Sequence, residues 1–202
     1  VRQSDALTIN DREALRRIPI CLTQQGKLLS VQGTLLHLPP VGSLGDDRLL
    51  LVDAGDRIEP LVGITIATTR AAHETLQLDE FGRHRFLGFI IEADGVCIWH
   101  SGDCVPFDGL VDDISRFRPD LALLPVNGRN ATLAARGIPG NFMLGEAIDI
   151  TGAVGAKAML AHHHGMFAFN TADPNEVDQA AARAPLTVMR AETRVAYTIA
   201  SN

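Results

Sequence analysis

The run Leu121-Ala-Leu-Leu-Pro-Val126 is apolar at every position and stands between two helix-like segments, Phe107–Phe117 and Leu144–Val154. A strand with one wet face alternates apolar and polar residues, so an unbroken apolar strand belongs to a sheet that is covered where it runs. A second feature sets local pairing. Phe86–Ala93 and Val96–His100 flank Asp94-Gly95, a dipeptide that tolerates the two positive φ angles of a type I′ turn, and they read as a tight antiparallel hairpin.

Other elements follow from the same signals. Leu49–Val52 and Ile64–Thr69 are strand-like, and Lys157–Ala161 is a short strand. Asp173-Pro174 opens a helix as its cap and first position, and Leu186–Arg190 and Arg194–Ile199 read as terminal strands. Near the start, Asn10 or Asp11 caps a helix that runs to Arg17, with Pro19 limiting it. The stretch from Gln24 to Asp47 is broken by four glycines and Pro39-Pro40, and no element is assigned to it. Hairpin strands come first and alternating helices and strands afterwards, which predicts a layered α/β protein with mixed sheets. The 202 residues contain no internal repeat and no linker, so they are read as one domain, residues 1–202.

Charge and cysteine content exclude several classes. The net charge is −6, and Arg83-His84-Arg85 is the longest basic cluster, which argues against nucleic acid as a partner. No apolar run approaches the length needed to span a bilayer, so neither a membrane span nor a membrane partner is expected. Cys21, Cys97 and Cys104 are odd in number and widely spaced, which suits a reducing cytoplasm better than a disulfide framework. The chain opens on Val1 and is read as a processed or shortened form of a longer one.

Three polar residues follow directly on strand-like runs: His73, Asp103 and His163. Strand ends along one sheet edge bring distant residues together, so the recurrence predicts a single site. Imidazole nitrogen and carboxylate oxygen suit zinc, manganese or iron, and such an ion activates water for hydrolysis.

Thr69-Arg-Ala-Ala-His73-Glu, His100-Ser-Gly-Asp103, Asp120-Leu-Ala-Leu-Leu-Pro-Val-Asn127-Gly-Arg129 and Ala161-His-His163-His-Gly-Met-Phe167 with Asn170 resemble the metallo-β-lactamase superfamily. More narrowly they resemble its L-ascorbate-6-phosphate lactonase-like metal-dependent hydrolases. The resemblance implies a four-layer αββα sandwich with a metal site at the rim of its two sheets, N-terminal strands of which are not all expected in this chain. It implies that His73 and His163 are histidine ligands and that Asp103 is a carboxylate shared between two metals. The family's dense His-x-His-x-Asp-His motif is not matched, since no histidine precedes His37. Its best placement is Val1–Ala6, where Asp5 alone keeps a ligand, and the alternative is that the motif lies upstream. The expected cofactor is one or two divalent ions, zinc or manganese, with iron a third candidate.

Asn127, Arg129 and Asn141 are the substrate-binding candidates, with Arg129 as a bidentate clamp for a small anionic substrate. Asn141 is also a candidate helix cap. Asp103 is expected to orient the metal and accept a proton. Alternation along the chain predicts that His162 and His164 point away from His163. Cys104 and the methionines Met143, Met159 and Met166 are read as core filler, and His37, His84 and His100 as surface or hydrogen-bonded framework residues. Two functions are kept: a metal-dependent hydrolase of a small anionic ester, lactone or phosphosugar, and a non-catalytic family member that binds or scaffolds. A homo-oligomer is compatible with either.

Overall fold

The apolar side chains of the main sheet's strands divide between its two faces, each with its own buried cluster. The computed structural model describes residues 20–22, 28–29, 49–165 and 168–199. Seven strands form one mixed sheet: β4 (Arg57–Leu61), β5 (Ile64–Arg70), β6 (Leu87–Ala93), β7 (Val96–His100), β8 (Leu121–Pro125), β9 (Ala158–His162) and β10 (Thr187–Arg190). Their order is β10-β9-β8-β7-β6-β5-β4. β7 through β10 are mutually parallel, whereas β4 through β7 pair antiparallel. A separate three-stranded sheet is ordered β2-β1-β3, from β1 (Ile20–Leu22), β2 (Leu28–Leu29) and β3 (Leu49–Leu51).

One face of the main sheet carries Ala67, Ile90, Trp99, Ala122, Leu124, Met159 and Ala161. Helices cover it: α1 (Leu110–Ser115) contributes Leu110 and Ile114, α3 (Leu144–Ala153) contributes Ala147, and α4 (Pro174–Ala181) contributes Val177. The short α2 (Ala131–Ala134) lies in the connection after β8 and buries no residue. The opposite face presents Ile66, Leu87, Phe89 and Ile91, with Val52 and Ala54, just beyond β3, packed against them. Each large side chain removed from water in these layers stabilises the fold by about 1.5–3 kcal/mol before entropy is counted.

The expected hairpin forms, with Asp94 at φ 50° and Gly95 at φ 77°. The Asp173-Pro174 helix start also forms, Asp173 accepting from the Asn175 amide. Elsewhere the structure corrects the reading. The helix expected over Phe107–Phe117 is confined to Leu110–Ser115, because Gly109 (φ 89°) and Arg118 (φ 50°) turn the chain on either side. No strand forms over Arg194–Ile199. The chain turns at Arg194 (φ 65°), and the Tyr197 hydroxyl ties the segment back by donating to the Arg190 carbonyl and accepting from the Glu192 amide. β4 was not anticipated; its Pro60 is tolerated because the strand is at the sheet edge. Met159 is core, but Met143 is 46% exposed. The expected N-terminal helix, His37 and Met166 lie outside the described residues.

Candidate metal centre

β6 runs antiparallel between β5 and β7, and β7, β8 and β9 are parallel, so β5, β7, β8 and β9 all end at the same edge of the sheet. His73 lies just beyond β5, Asp103 beyond β7, Asn127 beyond β8 and His163 beyond β9. Gly102 makes the turn into Asp103 at φ 66°, and a Cβ there would stand 2.6 Å from the Leu87 carbonyl oxygen. His73 is held edge-on against Phe86, with ring centroids 5.2 Å apart.

Asp103 divides its two oxygens between two imidazoles. Oδ2 lies 3.6 Å from His73 Nε2, and Oδ1 lies 3.1 Å from His163 Nε2. Burial would raise the carboxyl pKa, but the His163 hydrogen bond and the neighbouring imidazoles outweigh it and bring Asp103 to about 2. Two donors bonded to one ion at a tetrahedral angle stand about 3.4 Å apart, so each His–Asp pair has the spacing of two ligands of a common cation. The pairs face opposite ends of one carboxylate. Among the described residues no three His, Cys, Asp or Glu side chains close round a single ion. His73, Asp103 and His163 are donor types that a divalent cation would take, and the set is incomplete among the described residues. Asp5 lies outside them.

The histidine run does not alternate as expected. β9 ends at His162, and His163 adopts the left-handed conformation (φ 63°), uncommon for a residue with a Cβ. That turn swings the His163 ring toward Asp103 and also against His162: their Nδ1 atoms are 2.7 Å apart and their centroids 4.9 Å. The expectation that His162 points away from His163 is thus overturned, because period-two alternation stops where the strand stops. His162 in turn lies beside His100, centroids 5.2 Å apart. Burial holds His100 down to about 4 and His162 well below the ordinary imidazole range. His100 Nδ1 accepts from the Gly102 amide at 2.9 Å, which leaves its proton on Nε2 and fixes the turn into Asp103.

The three substrate candidates are bonded to protein groups. Arg129 places both terminal nitrogens on the Glu146 carboxylate, one at 2.8 Å, and also donates to the Asn141 carbonyl at 3.0 Å. Its fork, read as an anion clamp, is occupied within the protein. Asn141 is 3% exposed and donates to Asn127 Oδ1 at 2.9 Å, while Asn127 donates to Asn170 Oδ1 at 2.8 Å. Asn141 is not a cap; that position is Met143, and Glu146 closes the turn by accepting from the Met143 amide. Cys104 is fully buried, its thiol donating to the Val105 carbonyl, and burial raises it to about 12. His84 is bound to Asp53 through both its backbone amide and Nδ1. Sequence reasoning undervalued His162, whose signal was its place in an unusual run of three histidines.

A model of the beta-lactamase superfamily domain matches residues 3–164. The chain belongs to the metallo-β-lactamase superfamily. Its main sheet and helices are those of the α/β metallo-β-lactamase fold. This superfamily member is 28% identical over 108 residues to a UPF0173 metal-dependent hydrolase of Saccharolobus solfataricus, covering 54% of this chain and 44% of the relative. It is 30% identical over 116 residues to a UPF0173 metal-dependent hydrolase of Methanoregula boonei, covering 56% and 48%. The chain thus spans about half the length of the curated relatives it matches. A solved metallo hydrolase of Ignicoccus hospitalis superposes with a TM-score of 0.58 at 22% identity, over 76% of this chain and 62% of that one. That likeness concerns the fold.

Proposed function

We propose that this metallo-β-lactamase superfamily chain carries the strand-end ligands of a metal-dependent hydrolase: His73, Asp103 and His163, with Asp5 as a further donor. The observation that carries the reading is the division of one carboxylate between two imidazole Nε2 atoms, at 3.6 and 3.1 Å, on loops from three different strands. The description of the relatives as metal-dependent hydrolases supports it. One or two divalent ions, zinc or manganese with iron as a third candidate, would activate water and polarise the electrophile. Asp103 is ionised near neutrality, the imidazoles holding its carboxyl low, and this is the form that can ligate and orient a cation and accept a proton. His73 and His163 offer Nε2 lone pairs, and the left-handed backbone of His163 aims its ring.

The substrate class that suits the site is a small anionic ester, lactone or phosphosugar, in keeping with the lactonase-like motifs. With a net charge of −6, attraction of an anion has to be local, and the cation itself supplies it. The Asn141–Asn127–Asn170 chain and Arg129 frame that rim by bonding to one another and to Glu146. The reading of a reducing, cytoplasmic setting rests on the odd number and wide spacing of Cys21, Cys97 and Cys104 in the sequence.

Metal counting on the purified chain tests the proposal together with hydrolysis of a panel of lactones and phosphate esters. The parent is expected to take up zinc or manganese and to lose at least about tenfold in affinity on Asp103→Asn, since the remaining imidazoles no longer share a ligand. Equal metal uptake by parent and variant would place the ion elsewhere.

A further inference from the structure

We infer that Asn170 is a substrate-binding residue of the proposed metal centre, presenting its side-chain N–H groups to a negatively polarised substrate oxygen. The inference rests on the reading of His73, Asp103 and His163 as metal ligands and names a contact that this reading lacks.

The sheet sets Asn127 between two of the ligand-bearing strand ends. β8 lies between β7 and β9, so Asn127 stands past β8 as Asp103 stands past β7 and His163 past β9. The Val126 amide donates to the His162 carbonyl at 3.0 Å, which carries the pairing of β8 and β9 up to both residues. Asn170 reaches the same rim from the loop that His163 opens. That loop is pinned at its base, where His164 bridges Ala172 and the Gly165 amide donates to the Thr171 hydroxyl at 2.6 Å. Asn127 Nδ2 then donates to Asn170 Oδ1 at 2.8 Å.

Behind Asn127 stands a rigid anchor. The Asn141 backbone amide donates to the Gly128 carbonyl and the Gly128 amide to the Phe142 carbonyl, both at 3.0 Å, while Arg129 donates to the Asn141 carbonyl. The two segments approach so closely that a Cβ on Gly140 would fall 2.1 Å from the Gly128 oxygen. From this anchor Asn141 Nδ2 donates to Asn127 Oδ1 at 2.9 Å.

Burial fixes the polarity of the three amides. Turning all of them over would keep both bonds but would exchange nitrogen and oxygen at each end. Asn141 is 3% exposed and its Oδ1 has no hydrogen-bond partner, a position that a carbonyl oxygen endures more readily than an amide nitrogen with its hydrogens orphaned. The oxygen therefore belongs at the buried end, and the chain finishes at the rim on Asn170 Nδ2. Asn170 is half-buried, and this nitrogen bonds to none of the described residues. A carboxamide nitrogen donates and does not accept, so it suits a carboxyl or phosphoryl oxygen and rejects an N–H group. The two hydrogen bonds behind it polarise the donor further.

Binding of inorganic phosphate and of acetate to the zinc-loaded whole chain, read by calorimetry, tests this. Asn170→Leu removes the donor without adding charge and is expected to weaken the probe that fits by about tenfold; Asn170→Asp, which still accepts from Asn127 but turns an oxygen outward, should weaken it further. Zinc affinity is expected to stay within about threefold of the parent in Asn170→Leu, since the ligands are left in place. A loss for phosphate alone marks a phosphoryl oxygen, a loss for acetate alone a carboxyl oxygen, and a loss for both an oxygen of either kind. Nitrogen-15 spectra of the parent add a second readout: the Asn170 side-chain amide signal, assigned through its own backbone, should shift as the probe is added. Asn170→Leu binding both probes like the parent, an Asn170 signal unmoved by either, or a zinc-loaded parent indifferent to both overturns the inference. The spectra decide the matter on the parent alone if the variants do not fold. Asp103→Asn separates the two readings: zinc uptake untouched by that change sinks the metal centre and this contact with it, whereas uptake lost there, with both probes bound equally by parent and Asn170→Leu, sinks only the role of Asn170.

Discussion

At the scale of single residues the site depends on backbone conformations that few side chains adopt. Gly102 combines a positive φ with 2.6 Å between a virtual Cβ and the Leu87 carbonyl oxygen. Gly102→Ala is expected to cost about 2–3 kcal/mol in urea denaturation, and to weaken zinc binding because Asp103 is the next residue. Arg129 offers a sharper contrast. Its pairing with Glu146 and the Asn141 carbonyl means that Arg129→Lys should lower stability by about 1 kcal/mol, through loss of the bidentate fork, and reduce turnover of anionic and neutral substrates alike. Rates on matched charged and neutral esters check this, and a loss confined to the anion would show that the fork leaves Glu146 to grip substrate.

At the scale of elements, the end of the sheet opposite the site is fastened by Asp120, just before β8. Its carboxylate accepts from the Cys97 amide of β7 at 2.8 Å and pairs with Lys157, just before β9, at 2.7 Å. Burial raises its pKa, but the Lys157 and Cys97 bonds prevail and lower it below the ordinary 3.8. A carboxyl depressed on folding adds stability above its unfolded pKa and forfeits it as the pH falls through the folded value. Asp120→Asn is therefore expected to be less stable than the parent at pH 7, with a gap that narrows below about pH 4, where the unfolded carboxyl protonates, and closes only once the pH has fallen through the lower folded value. Paired thermal melts across that range measure it, and a gap that stays constant would mean that charge is not what fastens these strands.

For the whole molecule, ligand linkage and the single tryptophan provide the readouts. Zinc at 100 times its dissociation constant should stabilise the native state by about 2.7 kcal/mol, or roughly 5–10 °C in Tm for a chain of this size, and Asp103→Asn should cut the rise to about half or less at the same zinc concentration. Trp99 is the one tryptophan and is 1% exposed in the core between the main sheet and its helices. Its emission is therefore expected to shift to the red together with loss of far-ultraviolet circular dichroism, and separate midpoints would show that this core and the helices melt independently.

Much of this arrangement is written locally. The Asp94-Gly95 turn, the apolar β8 and the Asp173-Pro174 helix start depend on φ preferences and an unbroken apolar run within a few residues, so they are legible in the chain itself, and the resemblance to the family's motifs points to His73, Asp103 and His163. What the linear order could not convey depends on distant partners. Only the strand order puts the ends of β5, β7 and β9 on one edge, so that Asp103 meets two imidazoles from either side. Arg129 is read from sequence as an anion clamp or as a loop arginine paired with an acid, and only the packing of α3 against the sheet shows that the acid is Glu146, 17 residues on. His162 was assigned away from His163 by a rule that holds inside a strand, and the left-handed turn at His163, where β9 ends, brings the two rings together instead. Side-chain periodicity is a property of the local backbone, whereas the meeting of charges and imidazoles is decided by where the strands end relative to one another.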